Sequence, residues 1–281
     1  MNNEIIEKYN RPVFFYGLSL VIPWVLWFGA GAISHIRDGK IEWILLQGIL
    51  SLLGLLAPVF VALYLFLTNK ELLIDLRKRF FRIKGFSILY SLLALGLIFS
   101  SMVLAQLISL LFGYSIDQFI ISGTPSFNSV LFSPWLILIL APIVEELAWH
   151  SYGTDTLRRK FNLFLTSILF AFYWVFWHLP LSTIDGYYHS NVMAEGWMYS
   201  LNFVVSLFVF VILMNWLYFK TNRNIFLTII FHLTANISNE IFATHPDSKL
   251  IQTGILTIVV IIVLIKERTM FFSNEIQKSK E

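Results

Sequence analysis

The sequence predicts an all-α fold: a polytopic membrane helix bundle of about eight transmembrane helices, with an amphipathic helix on the cytoplasmic surface between the second and the third. Three observations predict it. Hydrophobic residues make up 57% of the 281 positions and charged residues 13%, with a mean hydropathy of +0.74, whereas soluble domains carry about 25% charged residues. Eight largely apolar runs each approach the ~20 residues that a bilayer-spanning helix needs. The basic residues between those runs are distributed unevenly, in the manner that orients a membrane protein.

The first run, 13–35, follows Lys8 and Arg11 and contains Ala30-Gly31-Ala32, as a secretory signal would. Its apolar core is too long for one and further runs follow, so it reads as an uncleaved first span. The second run is 44–68. The segment after it, "NKELLIDLRKRFFRIK" at 69–84, repeats Leu72, Leu73, Leu76, Phe80 and Ile83 at helical spacing with bases between them. That pattern suits an amphipathic helix lying on the membrane surface, and equally a plain topogenic loop. The remaining runs are 87–113, 131–152, 162–181, 197–219, 224–243 and 249–265, and a polar tail occupies 273–281. With no internal repeat, the chain reads as one domain, 1–281. If the N-terminus is cytoplasmic, 17 of the 20 Lys and Arg fall on the cytoplasmic side, so both termini are expected there. The net charge of +3 thus reflects orientation rather than nucleic-acid binding. The absence of cysteine excludes disulfides and thiolate chemistry, and the Ile-, Lys- and Asn-rich character fits a bacterial cell membrane.

Charged side chains inside a span cost about 2.5–3.5 kcal/mol on insertion scales, which makes function their default reading. Glu145 and Glu146 stand side by side near the end of the fourth run, with His150 one turn further. Neighbours on a helix diverge by roughly 100°, so the two carboxylates face different walls. Two close carboxylates in a dry site resist double ionisation, which suits a general acid or base; a structural pair bonded to a neighbouring helix and to His150 is the bland alternative. His178 closes the aromatic stretch "WVFWHLP" and by itself reads as an interfacial residue. His232 and Asn236 share a helix face, with Thr228, Asn239 and Glu240 extending the stripe; either a hydrated pocket or interhelical hydrogen bonding explains them. Asp185, His189, Glu195, His245 and Asp247 fall in outer loops and read as solvated. Together, two Glu, two His and one Asn on three spans can activate a water and stabilise an oxyanion.

In this order, Glu145-Glu146-Leu-Ala-Trp-His150, Trp174-Val-Phe-Trp-His178 and His232-Leu-Thr-Ala-Asn236 resemble the EExxxR, FxxxH and HxxxN motifs of the CAAX-protease and bacteriocin-processing (CPBP, or Abi) family of intramembrane proteases, type II CAAX prenyl protease-like. The basic loop and Trp149 and Tyr152 extend the resemblance, which runs from about Arg77 to Asn236 within a protease-like core of about 77–243. It implies an endopeptidase acting on a membrane-associated protein or peptide. Glu145 would be the general base, polarising a water with His178; His232 and Asn236 would hold the oxyanion; Glu146 would support Glu145. Two departures matter. The family arginine is His150, whose charge depends on pH, and the family phenylalanine is Trp174, which keeps an aromatic wall. Metal-free catalysis by Glu145 is the expectation; a zinc ion, if one were used, would sit on Glu145, His178 and His232. A catalytically weak homologue that binds peptides, such as a bacteriocin self-immunity protein, is the competing reading. A proton-coupled transporter is a further one, weakened by the lack of repeats.

Overall fold

The computed structural model describes residues 3–36, 38–80 and 87–273; Ile83 of the amphipathic pattern and positions 274–281 of the tail lie outside them. Helices occupy all eight apolar stretches. In chain order they are α1 (Asn3–Glu7), α2 (Pro12–Ser34), α3 (Ile41–Leu67), α4 (Lys70–Phe80), α5 (Ile88–Leu110), α6 (Pro134–Ala148), α7 (Thr154–Arg158), α8 (Leu163–His178), α9 (Tyr188–Glu195), α10 (Trp197–Lys220), α11 (Ile225–Glu240), α12 (Pro246–Lys266) and α13 (Arg268–Phe272). No β-strand occurs among the described residues, only an isolated bridge between Ile121 and Phe242. The protein is an integral membrane helix bundle whose lipid-facing surface is apolar: Val13, Ile88 and Leu111 are each more than three-quarters exposed.

Six helical stretches are long and apolar enough to cross a membrane: α2, α3, α5, α8 with the turn that follows it, α10 and α12. The other two helices of the expected eight are shorter, 15 residues in α6 and 16 in α11. At 1.5 Å per residue α11 reaches about 24 Å, less than the ~30 Å hydrocarbon core, whereas α6 is prolonged by the helical turns that follow it. Both have clear local starts. Ser133 caps α6 by accepting from the Leu136 amide, with Pro134 as the first residue, and Asn224 caps α11 through the Leu227 amide. Asn162 does the same for α8. These caps satisfy otherwise orphaned donors and fix the phase of the helices that carry Glu145, His178 and His232.

α6 does not stop at Ala148. It continues through a π-helical turn, Trp149–Gly153, into α7. The widened turn leaves carbonyls for outside donors: Arg79 bonds the His150 and Ser151 carbonyls at 3.1 and 2.8 Å, and the Tyr218 hydroxyl donates to the His150 carbonyl at 2.8 Å. The helix α4 matches the amphipathic pattern, but its apolar stripe packs on the protein: Leu72 is in the core, with Leu73 and Leu76 against it. Arg79, one of the bases expected at the surface, is buried. It sits in a knot with Asp75 (2.9 Å) and Asp155 (2.8 Å), while Arg223 reaches the same two carboxylates at 2.9 and 2.5 Å. Two guanidiniums against two carboxylates leave no net charge, which is what burial requires.

This knot closes the end of the bundle where α1, α4 and α7 meet. At the other end, α2 and α3 pack so tightly that a Cβ on Gly54 would lie 2.2 Å from the Trp27 indole nitrogen, which itself donates to the Ser51 carbonyl at 3.0 Å.

Two outcomes test the knot. Replacing Arg79 with Ala leaves the Asp75 and Asp155 carboxylates to Arg223 alone and lowers stability by about 3–5 kcal/mol, read as a fall in thermal midpoint in detergent. Burial opposes ionisation of Asp75, but the Arg79 and Arg223 guanidiniums outweigh it and hold the carboxyl below its ordinary value. A depressed folded pKa means that the stabilisation is complete above the unfolded value of about 3.9 and is lost as pH falls through the folded value. Asp75→Asn removes that part of the acid sensitivity of the melting curve.

Candidate active site

The site forms where α6, α8 and α11 converge beside a cavity of about 780 Å³. The cavity lies toward the end of the bundle away from the Arg79 knot, and Glu145, Trp174, His178, His232 and Asn236 all line it. The adjacent glutamates separate as helical geometry requires: Glu145 reaches the cavity, and Glu146, fully buried, turns behind it.

Glu145 is held by two indoles. Its Oε2 accepts from Trp174 Nε1 at 3.1 Å and, more weakly, from Trp149 Nε1 at 3.4 Å. Trp174 is therefore more than the aromatic wall expected of it, because its N–H makes a bond that phenylalanine could not. It also contacts the rings of His178 and His232, at centroid distances of 5.5 and 5.3 Å. Pro142, one turn before the glutamates, lacks the amide that would bond its own turn of α6.

Glu146 lies between two imidazoles. Its Oε1 accepts from His232 Nδ1 at 2.9 Å, and its Oε2 pairs with His150 Nδ1. His150 Nε2 faces Asn215 Oδ1 at 2.9 Å. The Asn215 amide orientation follows from its own neighbours: Asn215 Nδ2 donates to Ser167 Oγ, whose hydroxyl donates to the Leu163 carbonyl. Both nitrogens of His150 thus face oxygen atoms: Nε2 donates to Asn215 Oδ1, and Nδ1 shares a proton with Glu146 Oε2. His178 bonds the Trp174 carbonyl through Nδ1 at 2.7 Å. That assigns its proton to Nδ1 and leaves Nε2 as a lone-pair acceptor for the cavity. Asn236, one turn beyond His232, has a carboxamide that bonds no other described residue.

A zinc ion on Glu145, His178 and His232 does not fit these side chains. Among the described residues no three His, Asp or Glu side chains converge to hold a metal ion.

Four features escaped the sequence reading. Asn215 lies inside an apolar run, and nothing in spacing links it to His150. Trp174's indole bond depends on how α8 packs against α6. His189, read as a solvated loop residue, stacks on His178 with centroids 4.9 Å apart and ring planes 27° apart. Asp247, from the same group of loop residues, accepts from the Tyr114 and Tyr199 hydroxyls.

Comparison with known proteins shows the family. Residues 127–238, which include all five cavity-lining residues named above, match the family described as type II CAAX prenyl endopeptidase Rce1-like. The chain is also 33% identical over 273 residues to CAAX prenyl protease 2 of the archaeon Methanococcus maripaludis, covering 95% of this chain and 97% of the relative. The glutamate pair, the two cavity histidines and the asparagine therefore lie on a chain that belongs to the Rce1-like type II CAAX prenyl endopeptidase family.

Proposed function

We propose that the protein is an intramembrane endopeptidase that hydrolyses a peptide bond of a membrane-associated protein or peptide, with Glu145 as the base that activates water. The observation that carries this reading is the clamp on Glu145. Two indole N–H groups hold one carboxylate oxygen at the edge of the cavity, which leaves the other oxygen to take a proton from water. The His178 Nε2 lone pair accepts a hydrogen bond from the same water. The resulting hydroxide attacks the scissile carbonyl carbon, and the C=O electron pair moves to oxygen. The Asn236 amide donates to that oxyanion. His232, with Nδ1 committed to Glu146, can add a second donor through Nε2 when that nitrogen also carries a proton. Glu145 then passes its proton to the departing amine as the C–N bond breaks.

His150 fits this scheme as a stand-in for the family's arginine. Its two ring nitrogens bond Glu146 and Asn215, as two arms of a guanidinium could, though without a guanidinium's permanent charge or forked geometry. The name of the archaeal relative suggests a lipidated C-terminal peptide as a first substrate to try. We also propose that both termini are cytoplasmic, from the distribution of bases.

The test uses purified protein in lipid nanodiscs with a prenylated CAAX-type peptide and a panel of unlipidated peptides. Glu145→Gln lowers kcat by at least ~10²–10⁴-fold while the protein remains folded. Binding without cleavage by the wild type would favour the self-immunity or regulatory reading instead. Trp174→Phe lowers kcat by about tenfold, about 1.4 kcal/mol, with KM little changed, because the lost indole bond orients the base rather than the substrate. Asn236→Ala lowers kcat by about 10²–10³-fold. Exhaustive chelation leaves the wild-type rate unchanged, and stoichiometric bound zinc with a chelation-sensitive rate would overturn the metal-free scheme.

A further inference from the structure

His189 is the second residue of α9, the short helix between α8 and α10. It lines the same cavity as Glu145, His178, His232 and Asn236. Its ring is enclosed by aromatic groups: His178 at 4.9 Å and Tyr187 at 5.8 Å are near-parallel to it, and Phe203 meets it edge-on at 5.0 Å. Both of its ring nitrogens are shut off from solvent, and neither makes a hydrogen bond with another described residue. That combination is unusual. Buried polar atoms are nearly always satisfied, and an unsatisfied one calls for a reason. His150 and His232, by contrast, each bond a carboxylate, and His178 bonds a carbonyl. Packing alone would be met at least as well by a phenylalanine, which carries no polar atoms to desolvate.

We propose that His189 is a substrate-binding residue, whose ring nitrogens hydrogen-bond to the backbone of a peptide lying across His178. A peptide in extended form presents both an N–H and a C=O at each residue, so the neutral imidazole, with one donor and one acceptor, can engage it in either tautomer. The stack on His178 gives the site a reason for this placement: the backbone held by His189 passes beside the ring that faces the attacking water. This inference rests on the peptidase reading of the cavity, and it adds a residue to which that reading gives no role.

The experiment measures peptide binding and turnover separately in the full-length protein in nanodiscs. Binding of the fluorescently labelled cleavable peptide is read by anisotropy in a Glu145→Gln background, so it does not depend on catalysis. His189→Phe keeps the aromatic contacts and removes both nitrogens, whereas His189→Gln removes the ring and keeps a donor and an acceptor. The expected result is a Kd and KM raised by about tenfold or more in the Phe variant, with kcat within about threefold, and substantial recovery in the Gln variant. A Phe variant that binds like wild type, or a Gln variant no better than the Phe variant, overturns the proposal, because the ring would then serve only as packing. Failure of the peptidase reading is seen elsewhere, as equal cleavage by wild-type and Glu145→Gln protein.

Discussion

One carboxylate joins the halves of this site. Glu146 has no access to solvent, and each of its oxygens meets an imidazole, one from the π-helical turn that follows its own helix and one from α11. Through His150 the link runs on to Asn215 in α10 and Ser167 in α8. Four of the long helices are thereby tied by a single polar chain inside an apolar bundle. Such a chain is weak evidence for stability, because desolvation offsets much of what the contacts contribute. Its value lies in register. In a surrounding of interchangeable aliphatic contacts, only one relative phase of α6, α10 and α11 satisfies every donor and acceptor. That same phase aims Glu145 and His232 at the cavity.

The π-turn is the second constraint. A regular helix through residues 149–153 would bond its own carbonyls; the wider turn turns His150 toward Asn215 and leaves carbonyls to Arg79 and Tyr218. The Arg79 knot is thus part of how the site is held, although it lies at the opposite end of the bundle. α4 supplies Asp75 and Arg79, α7 supplies Asp155, and Arg223 stands in the connection between α10 and α11. An extramembrane helix and an interhelical connection act together as a clasp on the segment that carries the glutamates.

Much of this was legible from the residues. A bilayer demands long apolar runs, so the helical stretches announce themselves, and polar residues inside those runs are costly enough to be read as functional. Glu145, Glu146, His178, His232 and Asn236 were all visible in that way. What was not legible depends on partners distant in sequence. Arg79 looked like a surface base because nothing local reports Asp155, 76 positions away. Trp174 looked like a neutral exchange for phenylalanine because ring size, unlike the direction of an indole N–H, is readable from sequence. His189 looked solvated because α9 was expected to be loop. The shortness of α11 was hidden because the apolar run continues past its end, into the bridge region beyond Glu240.

The asymmetry between the two ends has a consequence for what leaves the protein. Cleaving a peptide bond near neutral pH turns one neutral amide into a carboxylate and an ammonium, two ions that hydrocarbon rejects. The knot end is filled by side chains that already satisfy one another. The cavity lies toward the other end, lined by the 126–132 loop, by α9 and by the start of α12. In the proposed reaction, new termini formed beside Glu145 would hydrate on that side. A lipidated fragment would stay anchored in the bilayer with its fresh terminus at one surface, and a released short peptide would enter a single compartment.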